Sequence, residues 1–338
     1  MAERELLVGF ESALSFWRTV RAAGLGDNGT ALATDGHVFG SQQLPVPERV
    51  GFALRCCNAD RPLHIVVPSI GKRTSLVSAQ EHVWSGVTKR GDLLGMGQGV
   101  SFYEMPATFV QLGMVMTDIE LAQVANEMMG TYGLTPWADE SRVQDIKPLV
   151  SYAELQEYAL AAKAAGVRGA TRACHALELA TPGSNSPRET DVAVFMKLSR
   201  RKGGAELGGF VMNEPIHVPD EYKSLAGQST ISPDFCWTRQ KVSQEYDSDE
   251  DHLTSRAKTT DERRRQTLEA MGYRVFVLTN GILRSNSAFN AYLRELEVAL
   301  GLRRRALSSH ALDLRRNLRE QLFGPELASE ALRELNGH

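Results

Sequence analysis

Apolar and polar residues alternate along this chain at two periods, and glycine or proline marks most of the changes between them. In the first half, Leu14–Ala23 carries apolar residues at helical spacing and is closed by Gly24. Leu63–Pro68 (LHIVVP) is a short β-branched run, and His82–Gly86 and Val100–Tyr103 predict further short strands between glycine-rich turns. Ala107–Met116 and Asp118–Met129 return to the helical period, with Asp118 placed as a cap, and Gly130–Gly133 ends the unit. Leu134–Leu149 holds two prolines and no clear period, which reads as a linker. Tyr152–Ala180, rich in Ala and Leu, predicts one or two helices broken at Gly166 and Gly169.

From Thr181 the pattern changes. Thr181–Pro187 (TPGSNSP) is a loop that ends as a helix start, with Ser186 as cap and Pro187 in the first helical position. That helix runs through Met196 and Leu198. Phe210–Val218 predicts a strand with an edge or bulge at Pro215. Ile231–Trp237 and Lys241–Asp247 predict a hairpin. Asp261–Met271 is a helix ended by Gly272, Tyr273–Thr279 (YRVFVLT) a buried strand, and Asn290–Leu300 a closing helix.

The chain has 338 residues and 42% hydrophobic content, enough for two domains with real cores. The reading is α+β throughout: a regulatory or recognition domain over 1–135, a linker and connecting helices over 136–180, a second domain over 181–300 with a small mixed sheet flanked by helices, and a basic helical tail over 301–338. A net charge of −3 excludes a chain that binds nucleic acid by overall charge, so such contact must come from local patches. Cys56, Cys57, Cys174 and Cys236 form no CxxC pair and have no histidine at metal-site spacing beside them, so neither zinc nor a disulfide framework is expected. The first ten residues are charged and lack an apolar signal core, and no apolar run is long enough to cross a membrane, so a cytoplasmic protein is expected.

The chemistry-bearing residues are acids. Glu245 and Asp247, two apart on one strand, face the same way, and pairing with the preceding strand brings Asp234 near them. Glu189 on the preceding helix adds a further carboxylate. Carboxylates held together repel and raise each other's pKa, a cost that a divalent cation removes, and Mg²⁺ (or Mn²⁺) prefers such oxygen ligands. The chemistry this suggests is phosphodiester hydrolysis, with Asp234, Glu245 and Glu189 as metal ligands and Asp247 alongside them. Arg264 or Arg265 would steady the phosphate, and His252 would position a water or carry a proton.

Ser186-Pro187-Arg188-Glu189, Pro233-Asp234-Phe235, Glu245-Tyr246-Asp247 with His252, Asp261-Glu262-Arg263-Arg264 and Gly272-Tyr273-Arg274-Val275 follow one another in this order. Taken together they resemble endonuclease-like domains of the PD-(D/E)XK (restriction-endonuclease-like) superfamily, related to the very-short-patch repair endonucleases, over about 95 residues. The resemblance implies a restriction-endonuclease-like fold, Mg²⁺-dependent cleavage of DNA, and metal-site roles for Glu189, Asp234 and the acidic pair. The first half is similar to the variable front half of such proteins, some of which are described as abortive-infection antitoxin-like regulators. The superfamily's usual lysine, two residues after the strand glutamate, is Asp247 here. Lys241, Lys258 and Arg265 are substitutes for it.

Plainer readings stand beside these. Asp249–Asp251 reads as a solvated acidic loop, Asp261 as a helix cap or first-turn residue, and Tyr246 and Trp237 as core. The arginines 303, 304, 305, 315, 316 and 319 would suit a DNA backbone or a dimer contact, but an amphipathic helix packing through Leu307, Leu312, Leu314 and Leu318 is the simpler account. Three functions follow: a metal-dependent endodeoxyribonuclease, an inactive nuclease-fold DNA-binding regulator, and an interaction protein whose acids are structural.

Overall fold

A computed structural model describes residues 6–22, 62–73, 79–86, 91–96, 99–135, 142–247, 255–303 and 306–336, with backbone alone at 255–259 and 325–336. His252, Cys56, Cys57, Gly24, Arg304, Arg305 and the acids 249–251 lie outside the described residues. The chain is a mixed α and β protein of two compact units, Met1–Ala180 and Thr181–His338. No helix among the described residues is long and apolar enough to cross a membrane.

In the first unit, β1 (Leu6–Val8) leads directly into α1 (Phe10–Ala22). Then come β2 (Leu63–Val67), β3 (Ala79–Val83), β4 (Leu93–Gly95) and β5 (Val100–Tyr103), which with β1 form one sheet in the order β3-β2-β1-β5-β4. The strand expected at His82–Gly86 lies earlier, because it pairs in parallel with β2 from Leu63↔Ala79 to Val67↔Val83. A distant partner fixes its limits, and local pattern does not report one. Helix α1 lies on this sheet through Phe16, stacked on Phe102 at 4.1 Å, and Trp17, whose Nε1 donates to Tyr103 O at 2.8 Å.

Helices α2 (Met105–Leu112) and α3 (Asp118–Met129) follow. Thr117, rather than Asp118, caps α3 in a reciprocal box with Glu120. The other end of α3 is finished from a distance. The buried Arg21 guanidinium donates to the carbonyls of Glu127, Gly130, Tyr132 and Lys147 at 2.8–3.0 Å. Carbonyls at a helix C-terminus have no partner within the helix, and a cation there also complements the helix dipole. A two-stranded ribbon, β6 (Gly133–Leu134) with β7 (Arg142–Val143), occupies part of the expected linker. Helices α4 (Tyr152–Ala164) and α5 (Ala170–Leu179), the stretch expected to connect the halves, lie in the first unit. Gly169 opens α5 at φ +92, where a Cβ would stand 2.1 Å from the Val110 carbonyl oxygen of α2.

The second unit opens with α6 (Pro187–Lys197), capped by Ser186 as its sequence predicts. Its sheet runs β13-β12-β11-β8, made of β8 (Val211–Met212), β11 (Phe235–Trp237), β12 (Val242–Asp247) and β13 (Arg274–Thr279). The hairpin β11–β12 is antiparallel, and β12 and β13 are parallel. The single strand expected over Phe210–Val218 is broken at Asn213, which takes a left-handed φ of +52. Its second piece, β9 (Ile216–His217), pairs with β10 (Thr230–Ile231) in a separate ribbon, so Ile231 is not part of the hairpin. Between those two strands lies the short helix α7 (Lys223–Ala226).

Helix α8 (Ser255–Ala270) begins six residues before Asp261, which is therefore interior and not a cap. Its Leu268 packs with Cys236 and Val275 on one face of the sheet. On the opposite face, Phe235 and Trp237 meet Phe210, while Phe276 meets Tyr292. After α9 (Asn280–Arg284), α10 (Asn286–Ala299) starts earlier than periodicity suggests, because Ser285 caps it. The tail is α11 (Ser309–Asn336), held to this unit by Phe323 against Phe195 and Phe289. Leu312 is exposed, contrary to the packing stripe expected of it.

Candidate functional site

The β11–β12 hairpin brings two carboxylates together. Phe235 pairs with Gln244 and Cys236 with Ser243, so one step further Asp234 stands opposite Glu245. Side chains alternate along a strand, which puts Asp234, Cys236, Ser243 and Glu245 on the face that α8 covers. The pair is locked by backbone. Tyr246 N donates to Asp234 Oδ2 at 2.7 Å, and Asp234 N donates to Glu245 Oε2 at 3.4 Å.

Burial, then the charges of Glu245 and Glu189, hold the Asp234 carboxyl well above the usual carboxylate range, against the Tyr246 N–H and Arg264. Burial also raises Glu245, with Arg264 and the Asp234 N–H pulling the other way. The two do not ionise independently, and the site favours holding a proton or a positive charge between them.

Arg264 supplies part of that charge. Leu268, one turn further along α8, packs on the sheet, and this faces Arg264 toward the acids. Its Nη2 donates to Ser232 O at 2.9 Å and lies 3.9 Å from Glu245 Oε1. Arg265 turns instead to Glu262 at 2.7 Å, both side chains nearly half exposed. Of the two arginines singled out by sequence, the structure brings Arg264 to the site. Asp261, on α8, lies 3.9 Å from Arg264 Nη1.

Glu189 reaches the pair through its field while clasping the start of α6. Its Oε1 accepts from Ser186 Oγ at 2.9 Å, and its Oε2 accepts from Asn185 N at 2.9 Å and Asn213 Nδ2 at 2.7 Å. Among the described residues the acids do not gather three ligand atoms within 4.8 Å of one another. Asp247 ends β12 on the same face as Glu245 and is exposed. Tyr246, expected in the core, is half-buried, and its hydroxyl donates to Asn280 Oδ1 at 2.5 Å. Trp237 is core as expected.

Of the three substitutes for the absent lysine, Lys241 and Arg265 do not reach the pair. Lys241 sits at the far end of β12, four residues or about 13 Å from Glu245, and donates to Met271 O at 3.0 Å. The Lys258 side chain lies outside the described residues, and Arg265 is turned away. Two of the tail arginines serve the fold. Arg315 is buried and donates to Asn290 Oδ1 and Gly204 O, and Arg319 is buried against Leu283 O.

Asn213 is the residue that sequence reading missed. Its backbone N–H lies 3.1 Å from Pro233 O and 3.3 Å from Asp234 O, while its side chain donates to Gly183 O and Glu189. It thereby ties the Glu189 loop to the bend that carries Asp234. The available signal was Asn213 two residues before Pro215, since asparagine tolerates left-handed backbone better than most residues. No protein-family model, curated protein or solved structure matches this chain.

Proposed function

We propose that the second unit is a Mg²⁺-dependent endonuclease acting on DNA, of the PD-(D/E)XK (restriction-endonuclease-like) kind. The observation that carries this reading is the Asp234–Glu245 pair, set side by side on adjacent strands with both carboxyls raised and Arg264 at their edge. Two acids forced together in a half-buried place are costly in a purely structural role, and a hard divalent cation offsets that cost with the ligand type it prefers. Bound there, Mg²⁺ would polarise a phosphate oxygen and lower the pKa of a water.

The chain's own groups divide the remaining work. Asp234 and Glu245 hold the cation, with their carboxylates aimed by the Tyr246 and Asp234 N–H groups. Glu189 adds negative field and, through Asn213, fixes the Asp234 bend. Arg264 meets the phosphate. The test is nicking of supercoiled plasmid with Mg²⁺. Wild type should convert it to open circle, and Glu245→Ala or Asp234→Ala should slow this at least ~100-fold.

A second reading is an inactive nuclease-fold regulator that binds DNA. Asp247 at the usual lysine position favours it, as does Lys241 being held on Met271 O at the far end of β12. Metal-independent retardation of DNA on a gel, unchanged in Asp234→Ala and without nicking, would select this reading.

A further inference from the structure

The first unit contains a second group of metal-ligand side chains, unrelated to the acid pair. Glu11 stands in the first turn of α1, His64 on β2 and His82 on β3. Parallel pairing sets His64 opposite Gln80 and Val66 opposite His82, so both histidines lie on one face of the sheet, where α1 delivers Glu11. His64 Nδ1 is 2.7 Å from Glu11 Oε2 and 3.0 Å from His82 Nε2, and the three atoms all lie within 4.8 Å of one another.

Protons alone satisfy this arrangement poorly. His64 Nδ1 carries at most one hydrogen, yet a carboxylate oxygen and a ring nitrogen both converge on it. If Nδ1 donates, its one hydrogen must be divided between the Glu11 oxygen and the His82 Nε2 lone pair, which weakens the bond to each. If it accepts from His82, a lone pair faces the carboxylate at 2.7 Å. A cation at the centre uses all three lone pairs together. A tetrahedral ion with bonds of about 2.0–2.1 Å spaces its donors roughly 3.3 Å apart, so entry needs the contacts to part by a few tenths of an ångström.

The surroundings hold the ligands in place. Phe10, just before Glu11, adopts a left-handed φ of +53, and its N–H donates to Gln111 Oε1 at 3.0 Å. A Cβ on Gly9 would stand 2.5 Å from that same oxygen. This constrained bend at the β1–α1 junction turns Glu11 toward the histidines. The main chain of His64 is fixed on both sides, its N–H by Ser12 Oγ at 2.9 Å and its carbonyl by Gly9 N at 3.1 Å. Phe10 stacks on the His82 ring at 3.8 Å. Burial, and next the neighbouring His64, push His82 down to about 4, leaving a neutral ring at neutral pH. The Glu11 side chain is 40% exposed, while its Oε2, the oxygen that faces His64, is buried and has no hydrogen-bond partner.

We propose that Glu11, His64 and His82 form a binding site for a first-row divalent cation, with Zn²⁺ as the natural probe. Two imidazoles and one carboxylate match the ligand preferences of zinc and leave its fourth position open. The site also clips α1 to the edge of the sheet at β2 and β3.

The experiment uses the full chain carrying Asp234→Asn and Glu245→Gln, so that the acid pair does not compete for metal. After chelator treatment, Zn²⁺ is titrated calorimetrically and Co²⁺ is followed by visible absorption. One equivalent of Zn²⁺ should bind, and Co²⁺ should give the intense bands of a tetrahedral site. His64→Gln and His82→Gln should each weaken binding at least ~100-fold with far-UV circular dichroism unchanged. Should the histidine variants unfold, Glu11→Gln, at the exposed edge, should weaken binding ~10-fold or more. Absence of stoichiometric binding would overturn the proposal. So would binding unaffected in folded variants, or a weak octahedral Co²⁺ spectrum.

Discussion

Asp234 shows most directly what the second unit gives up to hold its acids together. Its carboxyl titrates above the unfolded value, so the stability it offers as a neutral group is complete below the unfolded pKa and lost as pH rises through the folded one. In the metal-free protein at about pH 7, ionisation therefore opposes folding. Asp234→Asn keeps an acceptor for Tyr246 N and cannot ionise. It should raise the melting temperature there by a few degrees, for roughly 1–2 kcal/mol, and the gain should fade below about pH 4. Mg²⁺ should stabilise the wild type and leave this variant unmoved. Thermal scans at two pH values, with and without the ion, check both statements; a variant less stable than wild type at neutral pH would contradict the assigned strain.

At the level of elements, α3 depends on a side chain from α1. Replacing Arg21 with Met keeps the bulk and removes donors from the carbonyls of Glu127, Gly130, Tyr132 and Lys147. Leaving buried carbonyls without their charged donor costs about 1–3 kcal/mol or more. Urea unfolding should show a lower midpoint with the slope retained, and Arg21→Lys should recover only part of it, since an ammonium has fewer and differently arranged donors. Elements of this sort mark the limit of what sequence discloses. Helix α6 was legible because Ser186 and Pro187 are local signals, and β13 was legible as a strand from its continuous apolar run, though it is half-buried, with Leu278 alone buried, and not the buried strand expected. The facing of Asp234 and Glu245 was legible because a short hairpin fixes its own register. The β2–β3 pairing, the β9–β10 ribbon and the bridge made by Asn213 were not, since each depends on partners brought in by the tertiary fold. Adjacent arginines 264 and 265 look alike in sequence, and the packing of Leu268 separates them. The Glu11–His64–His82 group was hidden for the same reason, its members being scattered over more than seventy positions.

For the whole molecule, two compact units imply two reporters. Calorimetry should resolve more than one transition, because each unit has its own sheet and its own buried aromatic set. Arg21→Met should move one transition down, and Asp234→Asn should move the other up in the absence of metal. A single transition shifted by both variants would show that the units unfold as one. The Arg21 arrangement also bears on the order of events during synthesis. Every carbonyl it serves is translated at least a hundred residues after it. A chain growing from its N-terminus already carries the plug for a helix end not yet made, and closure waits only on the arrival of Lys147. A circular permutant opened between α1 and β2 would reverse that sequence, leaving the carbonyls of α3 to rely on water until the last segment emerged.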